Sequence, residues 1–151
     1  MTTPRDLAAA IAGFRFDPDH EATLMAHARN ALIDSIGVAV AGRRDAGYAT
    51  VRSASRHECP RGTSRILDGD GSTSPGMAAF LNGYAMHALD YDDVSETMYG
   101  HPSTVILPSV LAVADWLDLS LGEVLRSYVS GTTRRAPWRR RCRSARTTRA
   151  A

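Results

Sequence analysis

Lysine is missing from this chain altogether: all 18 basic side chains among its 151 residues are arginine, the pattern that GC-rich coding produces. Cysteine is scarce, and Cys59 and Cys142 stand too far apart for the close spacing of a zinc site or redox pair. Reduced thiols are the expectation. No apolar run approaches the roughly 18 residues that cross a bilayer. The opening MTTPRDLAAAIAG lacks a basic lead before an uninterrupted apolar stretch, which argues against an export signal and for a cytoplasmic protein. Acid is also unevenly distributed. Residues 132–151 carry 8 arginines and no acid, whereas residues 1–131 carry all 16 acids and 10 arginines, so the formal net charge of +2 conceals an acidic body and a basic tail.

What is present suits one folded unit: 44% hydrophobic content supplies a core, and the length is that of a single domain. The pattern is helical. Asp6 to Gly13 reads as a short apolar helix. Asp17-Pro18 opens a stronger one, because an aspartate at the cap accepts from a free backbone N–H and proline at the first position gives up an N–H without a partner. This helix runs from about Pro18 to Ala41, with Leu24, Ala28, Ala31, Leu32, Ser35, Ile36 and Ala39 recurring on one face. A weaker helix spans Ala46 to His57, with Tyr48, Val51 and Ala54 as its pattern and His57 solvated at its end, before the turn Cys59-Pro60-Arg61-Gly62. Ser64 to Leu67 reads as a short strand or a packed loop. The Asp68-Gly69-Asp70-Gly71 run after it lacks the later glutamate of a calcium loop.

Ser74-Pro75 opens a further helix to about His87, with Met77, Phe80, Leu81, Tyr84 and Ala88 as its buried stripe. Thr104 to Leu117 forms another, with Pro108 in its first turns, where a missing N–H costs least. Ser120 and Glu123 make a capping box for a last helix to about Val129. The domain therefore covers residues 1–131. The segment 132–151, TTRRAPWRRRCRSARTTRAA, has no apolar periodicity and is expected to be disordered. Its arginines beside Trp138 suit a phosphate backbone, so a helical module with a nucleic-acid-binding tail, or a non-catalytic fragment, is the alternative to an enzyme. A frameshift in a GC-rich gene is the preferred origin of the tail, because the helix opened at Ser120 breaks off as though a longer domain continued.

The chemistry is concentrated in MHALDYDDVSETMYGHPS, from Met86 to Ser103, between two apolar helices. His87, Asp90, Asp92, Asp93 and His101 offer mixed oxygen and nitrogen donors that suit a divalent metal, but without the tight pairing of two histidines on one helix face. They equally suit acid–base work, with a carboxylate taking a proton and an imidazole giving one. A third reading has the carboxylates capping the helix near Ser103 and bonding loop amides, with His101 packed beside Pro102.

The run HALDYDDVSETMYGHPSTVILPSVLAVAD resembles the signature stretch in the N-terminal, all-helical domain of the MmgE/PrpD family, which includes 2-methylcitrate dehydratase, cis-aconitate decarboxylase and iminodisuccinate epimerase. Similarity extends to ARNALIDSIGVAVAG and AAFLNGYAMHALDYDD, covers most of residues 1–131 and leaves out the tail. The resemblance implies an all-α helical bundle and a lyase acting on a small di- or tricarboxylate by proton transfer. It matches Asp90 and His101 to active-site positions, with His87, Asp92 and Asp93 as substrate-side or loop-orienting residues. It implies no metal, no cofactor and a homodimer. Val94 stands where a threonine commonly follows the Asp-Asp pair. The family's chains are longer and add an α+β lid domain whose basic and aromatic residues help form the pocket, so a truncated form is expected here.

Overall fold

The computed structural model describes residues 3–55, 62–69, 71–96 and 99–133, apart from the side chain of Leu7. The turn read at Cys59 to Gly62 lies outside these residues except for Gly62, as do His57, Asp70, Cys142, Trp138 and the arginine tail from residue 134 onward.

Six helices and one two-stranded hairpin make up the described chain, in the order α1 Pro4–Ala12, α2 Pro18–Gly42, α3 Ala46–Ser55, β1 Ser64–Arg65, β2 Ser72–Thr73, α4 Pro75–His87, α5 Pro102–Leu117 and α6 over 121–133. Helix α1 starts two residues before the sequence-based expectation. Thr3 is its cap, and Asp6 is the third helical residue, accepting from the Thr3 N–H at 2.8 Å while the Thr3 hydroxyl accepts from the Asp6 N–H. Helix α2 starts as expected, Asp17 accepting from the Asp19 N–H at 3.1 Å. The Ser120–Glu123 box opens α6, which continues past the expected Val129.

The core has two parts. Ala28, Leu32, Leu107, Leu125, Tyr128 and Val129 form one, between α2, α5 and α6; Ala39, Tyr48, Ile66, Leu81, Ala85 and Met86 form the other, between α2, α3 and α4. Leu111 packs against both. Leu81, Met86 and Leu107 are fully buried, each removal from water contributing about 2 kcal/mol. Helix α4 packs most extensively against α5, then against α2. Its buried stripe is Ala78, Leu81, Asn82, Ala85 and Met86, rotated from the expected one, and Phe80 is 54% exposed. Asn82 explains the rotation. Its side chain accepts from the Leu67 N–H at 2.8 Å and donates to the Arg65 carbonyl at 3.0 Å, so the polar residue must face inward to hold the hairpin strand.

The hairpin differs from the single strand or loop expected at Ser64 to Leu67. Ser64 pairs with Thr73 and Arg65 with Ser72, antiparallel, around a turn in which Gly69 (φ 96°) and Gly71 (φ 97°) take left-handed backbone that side chains disfavour. Asp68, in that turn, works as an anchor. Its carboxylate accepts from the Tyr48 hydroxyl at 3.0 Å and from Arg52 Nε at 2.8 Å, fastening α3. Burial first, and then the neighbouring carboxylate, push the Tyr48 phenol well above its ordinary value, which keeps it a donor.

Pro108 needs correction too. Because α5 begins at Pro102, Pro108 sits in the second turn, where its missing N–H leaves the Thr104 carbonyl without its helical donor. Helix α4 lies directly across that carbonyl, and Thr104 Oγ1 donates to the Gly83 carbonyl at 3.0 Å.

Candidate functional site

Helices α4 and α5 run antiparallel, so the end of one meets the start of the other. His87 is the last residue of α4 and His101 is the cap residue of α5, and their rings lie 4.6 Å apart at 61°. The loop between them is fastened at three points. The Asp90 N–H donates to the His87 carbonyl at 3.0 Å, Ser95 and Gly100 form a backbone bridge, and the Ser103 N–H donates to Asp93 Oδ1 at 3.0 Å. The last contact solves a local problem. His101 offers no side-chain cap and Pro102 has no N–H, so the first free amide of α5 belongs to Ser103 and is satisfied by a carboxylate ten residues back. Beneath it, Ser103 Oγ and the Tyr128 hydroxyl are 2.7 Å apart and bind the start of α5 to α6. Burial pushes the Tyr128 phenol up; the Ser103 hydrogen bond opposes this and the Asp93 charge adds to it, so the phenol stays protonated.

Asp90 has φ 55°, a left-handed conformation that aspartate tolerates better than most side chains. It turns the chain out of α4 and leaves the Asp90 carboxylate 77% exposed, while Asp92, two residues on, is buried to 1%. Asp92 lies under both imidazoles. Its Oδ1 is 2.9 Å from His87 Nδ1 and its Oδ2 is 3.2 Å from His101 Nδ1. The first contact is a hydrogen bond; the second has ion-pair distance without hydrogen-bond alignment, and His101 Nδ1 is buried with no hydrogen-bond partner. The other nitrogen of His101, Nε2, lies 3.7 Å from Asp90 Oδ1. His101 thus stands between two carboxylates, one sealed below it and one open to solvent.

Such an arrangement has clear chemical capacity. An ionised carboxylate only accepts, so Asp92 favours a proton on each Nδ1 that faces it. That directs the Nε2 lone pair of neutral His101, or the Nε2 proton of its cation, toward Asp90 and the solvent side. A buried carboxylate is costly unless charged or hydrogen-bonding partners surround it, and here both neighbours are imidazoles.

Four of the five side chains singled out in the sequence come together: His87, Asp90, Asp92 and His101 each offer a ligand atom, all within 4.8 Å of one another. Asp93 points elsewhere and caps α5. Val94 is 73% exposed. Tyr128 was not found from the sequence. It braces the site from 25 residues away, and its only local signal was a hydroxyl on the apolar face of the last helix.

No curated protein and no solved structure matches the chain. The family model described as the MmgE/PrpD N-terminal domain matches residues 5–133, nearly the whole of the described fold and all of the histidine–aspartate cluster. On that match, and with a helical fold that agrees with it, the chain belongs to the MmgE/PrpD family.

Proposed function

We propose that this chain is the N-terminal, helical part of a lyase-type enzyme that acts on a small di- or tricarboxylate by proton transfer, with Asp90 and His101 as the reacting pair. The observation that carries the proposal is the position of His101, its Nε2 3.7 Å from exposed Asp90 and its Nδ1 3.2 Å from buried Asp92. In a dehydration, Asp90 takes the proton from the carbon beside a carboxylate as the C–H bond breaks. His101, as the cation, gives its Nε2 proton to the departing hydroxyl, which leaves as water while the double bond forms. Asp92 holds the imidazole in orientation and stabilises its positive charge. His87, bonded to the same carboxylate, borders the substrate side.

The match to the N-terminal domain supports the enzyme class, and the cluster supports the pair. The test is turnover of 2-methylcitrate and of cis-aconitate by the purified chain, beside Asp90→Asn and His101→Gln. Each substitution is expected to lower the rate at least about a hundredfold, the usual contribution of one acid–base group. Rates unchanged by either substitution reject the assignment.

A further inference from the structure

We infer that a cleft lined by the α2–α3 turn, one face of α3 and the hairpin turn binds a phosphoryl dianion, either free phosphate or the head of a small phosphate ester. The cleft has a volume of about 420 Å³, and Arg43, Arg44, Tyr48, Arg52, Ser53 and Asp68 line it. Openings of this size take small ligands. It shares no residue with the histidine–aspartate cluster, so the inference does not require the proton-transfer reading.

Three arginines meet one acid there, and that acid is already engaged. The Asp68 carboxylate accepts from the Tyr48 hydroxyl at 3.0 Å and from Arg52 Nε at 2.8 Å, while the Asp68 carbonyl accepts from Arg43 Nη1 at 2.8 Å. Arg43 and Arg52 are therefore held in place, and less side-chain entropy is lost when an anion arrives. Arg44 is exposed and enters no ion pair among the described residues. Asp45, its neighbour in the chain, is turned to the Tyr48 N–H, which donates to Oδ1 at 3.0 Å. The lining thus carries a formal charge of +2, opposite to that of a phosphoryl dianion. Its field is felt at Tyr48. Burial and then the Asp68 charge raise that phenol, and the Arg52 and Arg43 charges pull it the other way. A carboxylate offers two oxygens in one plane, which a single guanidinium fork satisfies. A phosphoryl group offers three in different directions, which suits arginines entering from the turn and from α3, with the Ser53 hydroxyl beside them.

Amide-resolved NMR of the full chain tests this, because it separates the cleft from the arginines after residue 133. Titration with inorganic phosphate and with glycerol 3-phosphate, at low ionic strength, is expected to give saturable shifts at the amides of Arg44, Ala49 and Ser53. The tighter of the two identifies the source of the phosphoryl group. Succinate, a dianion made of two carboxylates, is expected to bind at least about fivefold more weakly. Arg44→Gln removes a charge without breaking a bond of the fold, and is expected to weaken binding of the tighter phosphate at least about fivefold, the loss of one charged hydrogen bond facing solvent. Arg15→Gln is expected to change nothing in the cleft, since that guanidinium bonds to the carbonyls of Ala12 and Phe14. Shifts confined to residues 134–151, an affinity untouched by Arg44→Gln, or succinate bound as tightly as the phosphates overturns the proposal.

Discussion

Asp92 and Asp93 are chemically identical neighbours with opposite fates. Asp92 goes under the histidines, whereas Asp93 reaches the amide of Ser103. Asp92→Asn keeps the shape but removes the charge that faces both imidazoles. We expect it to cost about 1–2 kcal/mol in urea unfolding, as for a buried hydrogen bond whose acceptor is weakened. His87→Gln, at the rim, is expected to cost about 1 kcal/mol in the same measurement. The sequence drew attention to this acidic run, and the resemblance singled out Asp90 and His101. It did not show which of the adjacent aspartates is sealed in, because that depends on how the loop is fastened at Ser95, Gly100 and Ser103.

Helices α2, α4 and α5 hold the site, and each tolerates little movement. A Cβ on Gly42 falls 2.0 Å from the Ala85 carbonyl oxygen, so the end of α2 lies on the backbone of α4 two residues before His87. Gly42→Ala is expected to destabilise by about 3 kcal/mol, seen as a lowered Tm, because neither backbone can yield. Asp93→Ala removes the cap of α5. A loss of about 1 kcal/mol is expected, together with faster hydrogen exchange at the Ser103 amide. The helices themselves were legible, since Asp17-Pro18, Ser74-Pro75 and Ser120 with Glu123 each mark a start. The facing of α4 was not. Counting apolar residues placed Phe80 inward, whereas buried Asn82, whose partners are backbone groups 15 and 17 residues away, sets the rotation.

Across the whole molecule, the hairpin and the two parts of the core are joined through α5. Ser64 Oγ donates to the Ala112 carbonyl at 2.6 Å, and Asp115 accepts from the Arg65 backbone N–H at 2.8 Å and from its guanidinium at 2.6 Å. Burial alone raises the Asp115 carboxyl, but the Arg65 side-chain and backbone hydrogen bonds with the Arg65 charge outweigh it, and the net shift is downward. A carboxyl lowered in the folded state stabilises above its unfolded value and loses that contribution as pH falls through the folded one. Asp115→Asn is therefore expected to be about 1 kcal/mol less stable than wild type at pH 7, with the difference closing in acid below the ordinary aspartate value of 3.8. Chemical denaturation at a series of pH values checks it. The hairpin link was hidden in the sequence, because Arg65 and Asp115 are 50 positions apart and only the packed fold brings them together. The same packing of α4 on α5 sets His87, Asp92 and His101 against one another. Nitrogen-15 correlation spectra of the imidazole rings test that most directly. With Asp92→Asn, the account predicts that the ring signals of His87 and His101 both move while those of His20 and His27 stay in place. Ring signals of His101 that are indifferent to Asp92→Asn contradict it.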